Sequence, residues 1–173
     1  MKIDWGIIPK HQIDVSKLPD AYEICRVMKT HKIDKYVYKI MWKGLVIKFG
    51  MSADNSKNYG DRLYRQIGHS ASWDKSRLVC SSGSDWRIIE EDFEKLYGLP
   101  LDKNSLSIII YNLTNYPFET FHPQKEIYAI EQSLINQYKR VVGSKPLGNI
   151  NDDKNIEKWN RVTKKTWNGL FDE

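Results

Sequence analysis

Two apolar runs, YVYKIMW at residues 36–42 and LVIKFGM at residues 45–51, are separated by only Lys43 and Gly44. Both are rich in aromatic and β-branched side chains, which suit a pleated, half-buried surface. With so short a link between them, an antiparallel hairpin is the arrangement the chain can reach most directly. Loop length sets its register. A three-residue loop, Trp42-Lys43-Gly44, gives glycine the left-handed position and sets Tyr38 opposite Lys48. A two-residue loop sets Tyr38 opposite Phe49. The first register is the expected one. It places an ammonium beside a phenol, and a nearby positive charge favours phenolate, the form a general base needs. On the residues alone, a strand tyrosine beside a lysine that snorkels to solvent is the favoured account of the pair.

The run LSIIIYNL at residues 106–113 predicts a third strand, central in its sheet because of the consecutive isoleucines. Residues 125–142 carry the clearest helical pattern. Ile127, Ile130, Leu134, Tyr138 and Val141 make one apolar stripe, Gly143 stops it, and Pro146 follows. Shorter helices are expected over residues 21–28, from Asp61 onward, and over residues 85–96, where Asp85 can cap and Glu90, Glu91 and Asp92 follow early. Residues 52–60 and the serine-rich residues 70–84 read as loops. The class is α+β. The organisation expected is an N-terminal extension at residues 1–34, a core at 35–150, and a basic tail at 151–173 that contains Trp159 and Trp167.

The chain has 173 residues and a formal net charge of +5, with six tryptophans and ten tyrosines. A basic excess with many rings favours a polyanionic partner. The two cysteines, Cys25 and Cys80, are too far apart and too few for a zinc cluster or a disulfide framework, and read as thiols in a reducing compartment. No signal-peptide core opens the sequence, and no segment approaches the roughly 20 apolar residues of a membrane span. A cytoplasmic protein with no membrane partner is expected.

Three features fit a fold-only reading poorly. Glu131 lies four residues after Ile127 and four before Ile135, beside or within the apolar stripe. A carboxylate there is costly unless it is paired or binds a cation, although the wet edge of a narrow stripe would also hold it. Arg62 opens a helix after a glycine-containing loop, with Lys57 and Arg65 close by; helix N-termini and arginines both suit phosphates, although a solvated helix face is the favoured account on the residues alone. His69, near the end of that helix, is either a cap or a proton carrier.

Taken in order, these residues resemble the GIY-YIG nucleases. Val37-Tyr38-Lys39-Ile40 followed by Ile47-Lys48-Phe49-Gly50 resembles the paired motifs that name the family. Gly60-Asp61-Arg62-Leu63 and His69 resemble the helix with the key arginine, with Arg65 as an alternative to Arg62. Tyr128-Ala129-Ile130-Glu131 resembles the helix with the metal-binding glutamate, and Lys145-Pro146-Leu147-Gly148-Asn149 the closing proline–asparagine segment. The match spans residues 36–149. It departs from the family at Tyr36, where glycine is usual, and at Lys48, where tyrosine is usual; some restriction enzymes of the family are similar in having lysine there.

The resemblance implies a GIY-YIG-like fold, a small three-stranded antiparallel sheet flanked by helices, here with helical N-terminal and C-terminal additions. It also implies a divalent-metal-dependent DNA endonuclease. Tyr38 would be the general base, assisted by Lys48, and Arg62 would neutralise phosphate charge. His69 would relay a proton, and Glu131 would hold Mg²⁺ or Mn²⁺. Arg65, Asn149, Lys158, Arg161, Lys164 and Lys165 are the expected contacts to double-stranded DNA. The short chain favours a site-specific restriction type, for which a homodimer on a symmetric site is compatible. A homing, phage-encoded or repair-type nuclease, or a non-catalytic DNA-binding module, are the alternatives.

Overall fold

The computed structural model describes residues 3–14, 22–53 and 106–143, together with Lys145, Pro146 and Asn149. Along the chain these residues form β1 (Lys10–Asp14), α1 (Tyr22–Thr30), β2 (Tyr36–Trp42), β3 (Leu45–Ser52), β4 (Leu106–Asn112) and α2 (Pro123–Val142). The strands make one antiparallel sheet in the order β1-β4-β2-β3, so the class is α+β.

The sheet therefore has four strands where three were expected. The addition is β1, KHQID, which lies at the edge of the described strands and pairs among them with β4 alone. An edge strand needs little apolar character, and β1 buries Ile13 while Gln12 is exposed. The expected central place of the isoleucine run is borne out, since β4 lies between β1 and β2.

The hairpin forms, in a register neither loop alone predicts. Trp42 pairs with Leu45, so the link is the two residues Lys43 and Gly44, both with positive φ (46° and 83°). That is the conformation of a tight hairpin turn whose twist matches that of the strands. Further along, Ile40 pairs with Lys48 while Met41 pairs with Val46, so Ile47 is an extra residue, a β-bulge. The bulge advances the register once more, and Tyr38 stands opposite Gly50. The expected Tyr38–Lys48 pairing is thus corrected. Lys48 opposes Ile40, one pair along from Tyr38 on the same face.

Pleating gives the sheet two faces. One holds Val37, Phe49 and Tyr111 and packs on Ile127, Ile130, Leu134, Ile135, Tyr138 and Val142 of α2. The rings of Phe49 and Tyr138 meet edge to face, 6.2 Å between centroids. The stripe matches expectation except at Val141, which is 39 % exposed, while Val142 is buried. The helix begins at Pro123 and ends on Gly143, whose φ of 91° lets its N–H donate to the Lys139 carbonyl at 2.8 Å.

The other face holds Tyr36, Tyr38, Ile40 and Trp42 of β2, all buried, with Ile108 and Ile110 of β4. α1 packs beside β1 and closes in a Schellman motif. Ile33 N–H donates to Met28 carbonyl at 2.8 Å and Lys32 N–H to Lys29 carbonyl at 3.1 Å. Lys32 takes the left-handed position (φ 50°), and Ile33 and Met28 are both fully buried. No described helix is long and apolar enough to cross a membrane. The helices expected after Asp61 and from Asp85, and the basic tail, lie outside the described residues.

Candidate functional site

Tyr38 is held by what the sequence puts opposite it. A Cβ built on Gly50 would collide with Cζ, Cε1 and the hydroxyl oxygen of Tyr38, so the hydroxyl end of the ring lies directly on the backbone of β3. Glycine inside a strand often marks such a close approach. Tyr38 is 1 % exposed, and the Tyr36 ring lies 6.2 Å from it, centroid to centroid. Lys48 is 3 % exposed on the same face, and Ser52 is also buried. Among the described residues nothing forms a hydrogen bond or ion pair with the Lys48 ammonium. A lysine residue buried to this degree is uncommon and invites a functional explanation.

Glu131 stands elsewhere. At about 100° per residue along α2 it falls between Tyr138 and Val142, inside the span of the buried stripe. It is partly buried. The helix that carries it packs on the Phe49 face, so Glu131 rises from the opposite side of the sheet to Tyr38 and Lys48.

Asn149 meets β3 at its outer edge. Its Oδ1 accepts the Phe49 N–H at 2.8 Å and its Nδ2 donates to the Phe49 carbonyl at 2.9 Å. Its own N–H donates to the Pro146 carbonyl at 2.9 Å. The carboxamide thus does for Phe49 what the peptide group of a neighbouring strand would do. Both its polar ends are engaged in this structural bond.

Sequence reasoning did not single out Lys39, which is 2 % exposed on the α2 side of β2. Its ammonium lies 5.8 Å from the centre of the Tyr111 ring, within cation–π reach. Nothing in the pattern YVYKIMW distinguishes it from a lysine with a wet end. The cradling role of Gly50 was also missed, although an isolated glycine in a strand pattern is a recognisable signal.

Among the described residues no group of three or more His, Cys, Asp or Glu side chains could enclose a metal. The partly buried carboxylate of Glu131 fits a looser mode, in which Mg²⁺ keeps several waters and takes one protein carboxylate. Of the expected residues, Tyr38 and Lys48 come together on one face, Glu131 lies on the helix across the other, and Asn149 clamps β3. Arg62, Arg65, His69, Lys158, Arg161, Lys164 and Lys165 lie outside the described residues. Compared with protein-family models, curated proteins and solved structures, the chain finds no match.

Proposed function

We propose that this chain is a divalent-metal-dependent DNA endonuclease of GIY-YIG type, cutting at specific sites in double-stranded DNA. The observation that carries the reading is the Tyr38 ring seated on Gly50 with the buried residue Lys48 on the same face. A lysine is seldom this buried, and a phenol asked to accept a proton gains from a cation on its face.

In this reading Tyr38 takes the proton of the attacking water, with Lys48 favouring its ionised form. Arg62, or Arg65 in its place, neutralises charge on the phosphate, and His69 moves a proton. Glu131, on the helix over the other face, is the residue that would hold a divalent ion, and Mg²⁺ there would supply charge to polarise a phosphate and stabilise a leaving oxygen. Lys158, Arg161, Lys164 and Lys165 meet the DNA backbone, where such contacts position without specifying, while Asn149, expected among them, serves the edge of β3 instead. Restriction is the favoured role, with a homodimer on a symmetric site; homing and repair-type cleavage use the same chemistry.

A second reading has its own observations. Tyr38 is almost fully buried, and Glu131 rides the helix over the opposite face. Both favour a DNA-binding module that retains the arrangement as core and does no chemistry. Incubation with plasmid and phage DNA in Mg²⁺, with EDTA and Glu131→Ala controls, separates the two. Discrete fragments that vanish in both controls support the nuclease. DNA that is bound yet left whole in Mg²⁺ and Mn²⁺, branched substrates included, supports the module.

A further inference from the structure

The rings of His11 on β1 and His31 at the end of α1 lie 4.1 Å apart, centroid to centroid, with a 35° tilt between their planes. They are a close contact between parts of the chain that are remote in sequence. His31 is the C-cap of α1, next to the left-handed Lys32 that turns the chain back. We propose that this imidazole pair is an acid-sensitive latch: it holds the C-terminal turn of α1 against β1 near neutral pH and releases it as the pH falls.

Two neutral imidazoles can stack, whereas two imidazoliums at this spacing repel in a partly desolvated site. The surroundings offer little compensation. On β4, the residue opposite His11 is Ile110, and its neighbour on the same face of β1 is Ile13. From the α1 side the charged neighbours of His31 along the chain are Lys29 and Lys32, both cationic. The nearest described carboxylate along the chain, Asp34, already faces the Lys35 ammonium at 3.4 Å. In keeping with this, burial first and His31 second hold the His11 imidazole below its ordinary 6.5. The sign follows. A base whose folded pKa is depressed leaves the fold intact above the ordinary value. Its contribution is lost as the pH falls from 6.5 through the lowered one, because the open chain binds the proton more tightly.

The released turn would uncover Met28 and Ile33, both fully buried in the closed state. The latch thus gates one end of the Tyr38 face, whatever chemistry that face performs.

Hydrogen exchange on the full chain at pH 7.5 and 5.0, corrected for intrinsic rates, reads the latch directly at the His31, Lys32 and Ile33 amides. In the wild type, protection there falls about threefold at the lower pH, while the amides of β2 and β4 keep theirs. His11→Phe and His31→Phe each retain a ring and break the imidazole pair, and each flattens the pH dependence. His31 is exposed, so its variant folds even if the β1 substitution does not. Equal protection at both pH values in the wild type, or an undiminished fall in His31→Phe, overturns the proposal. DNA cleavage plays no part in the readout, so the latch and the nuclease reading fail separately.

Discussion

Each face of the sheet buries one lysine, and the two are supported differently. Lys39, on the α2 side, has the Tyr111 ring 5.8 Å from its ammonium and belongs to a layer of close apolar contacts. Lys48, on the Tyr38 side, is as deeply buried but has no hydrogen-bond or ion-pair partner among the described residues. Burial therefore does not by itself mark a structural lysine. What surrounds the side chain separates a lysine absorbed against a ring from one with no such contact among the described residues.

Substitutions that distinguish the faces test this contrast. The largest effect is expected at Tyr38. Tyr38→Phe keeps the ring on Gly50 and should lower DNA cleavage about 10³-fold with little change in melting temperature. A large loss of stability with no specific loss of rate would make the hydroxyl structural. Gly50→Ala forces a methyl into the ring and should cost about 3 kcal/mol in denaturant unfolding. Wild-type stability there would mean that the ring has room to move.

The two lysines provide the paired test. Lys48→Met should reduce cleavage about 10²-fold and leave stability near wild type, because it keeps the length of a buried side chain and removes its charge. Lys39→Met should leave cleavage near wild type and change stability by about 1 kcal/mol. Similar results for both would erase the distinction between the faces. The smallest effect is expected at the sheet edge. Asn149→Ala leaves the Phe49 peptide groups without their side-chain partner and should cost about 1 kcal/mol, read as a shift in the urea midpoint.

What could be read from the sequence follows the same division. The stripe from Ile127 to Tyr138, its stop at Gly143 and the isoleucines of β4 were legible, because periodicity reports directly on burial. β1 was not, since KHQID carries almost no apolar signal and owes its form to pairing with β4. The hairpin was legible but its register was not. A bulge at Ile47 shifts the pairing by one residue, and neither of its neighbours announces it. At the candidate site, Tyr38 and Lys48 share a face as the expected register had it, but only because the bulge offsets the two-residue turn, which alone would set Tyr38 opposite Phe49. Their opposition to Gly50 and Ile40 depended on the bulge. That Glu131 lies on the helix over the other face could not be read at all, since the order of elements does not say which side of a sheet a helix covers.

The Asn149 clamp has a consequence for solubility. β3 is eight residues of mostly apolar strand at the border of the sheet. A bare border of that composition is a template on which a second chain can add a strand, and from there an aggregate can grow. By occupying the Phe49 N–H and carbonyl from the side, one carboxamide interrupts that template near its middle. Its loss would be felt less in the stability of one molecule than in how concentrated a solution of many can become.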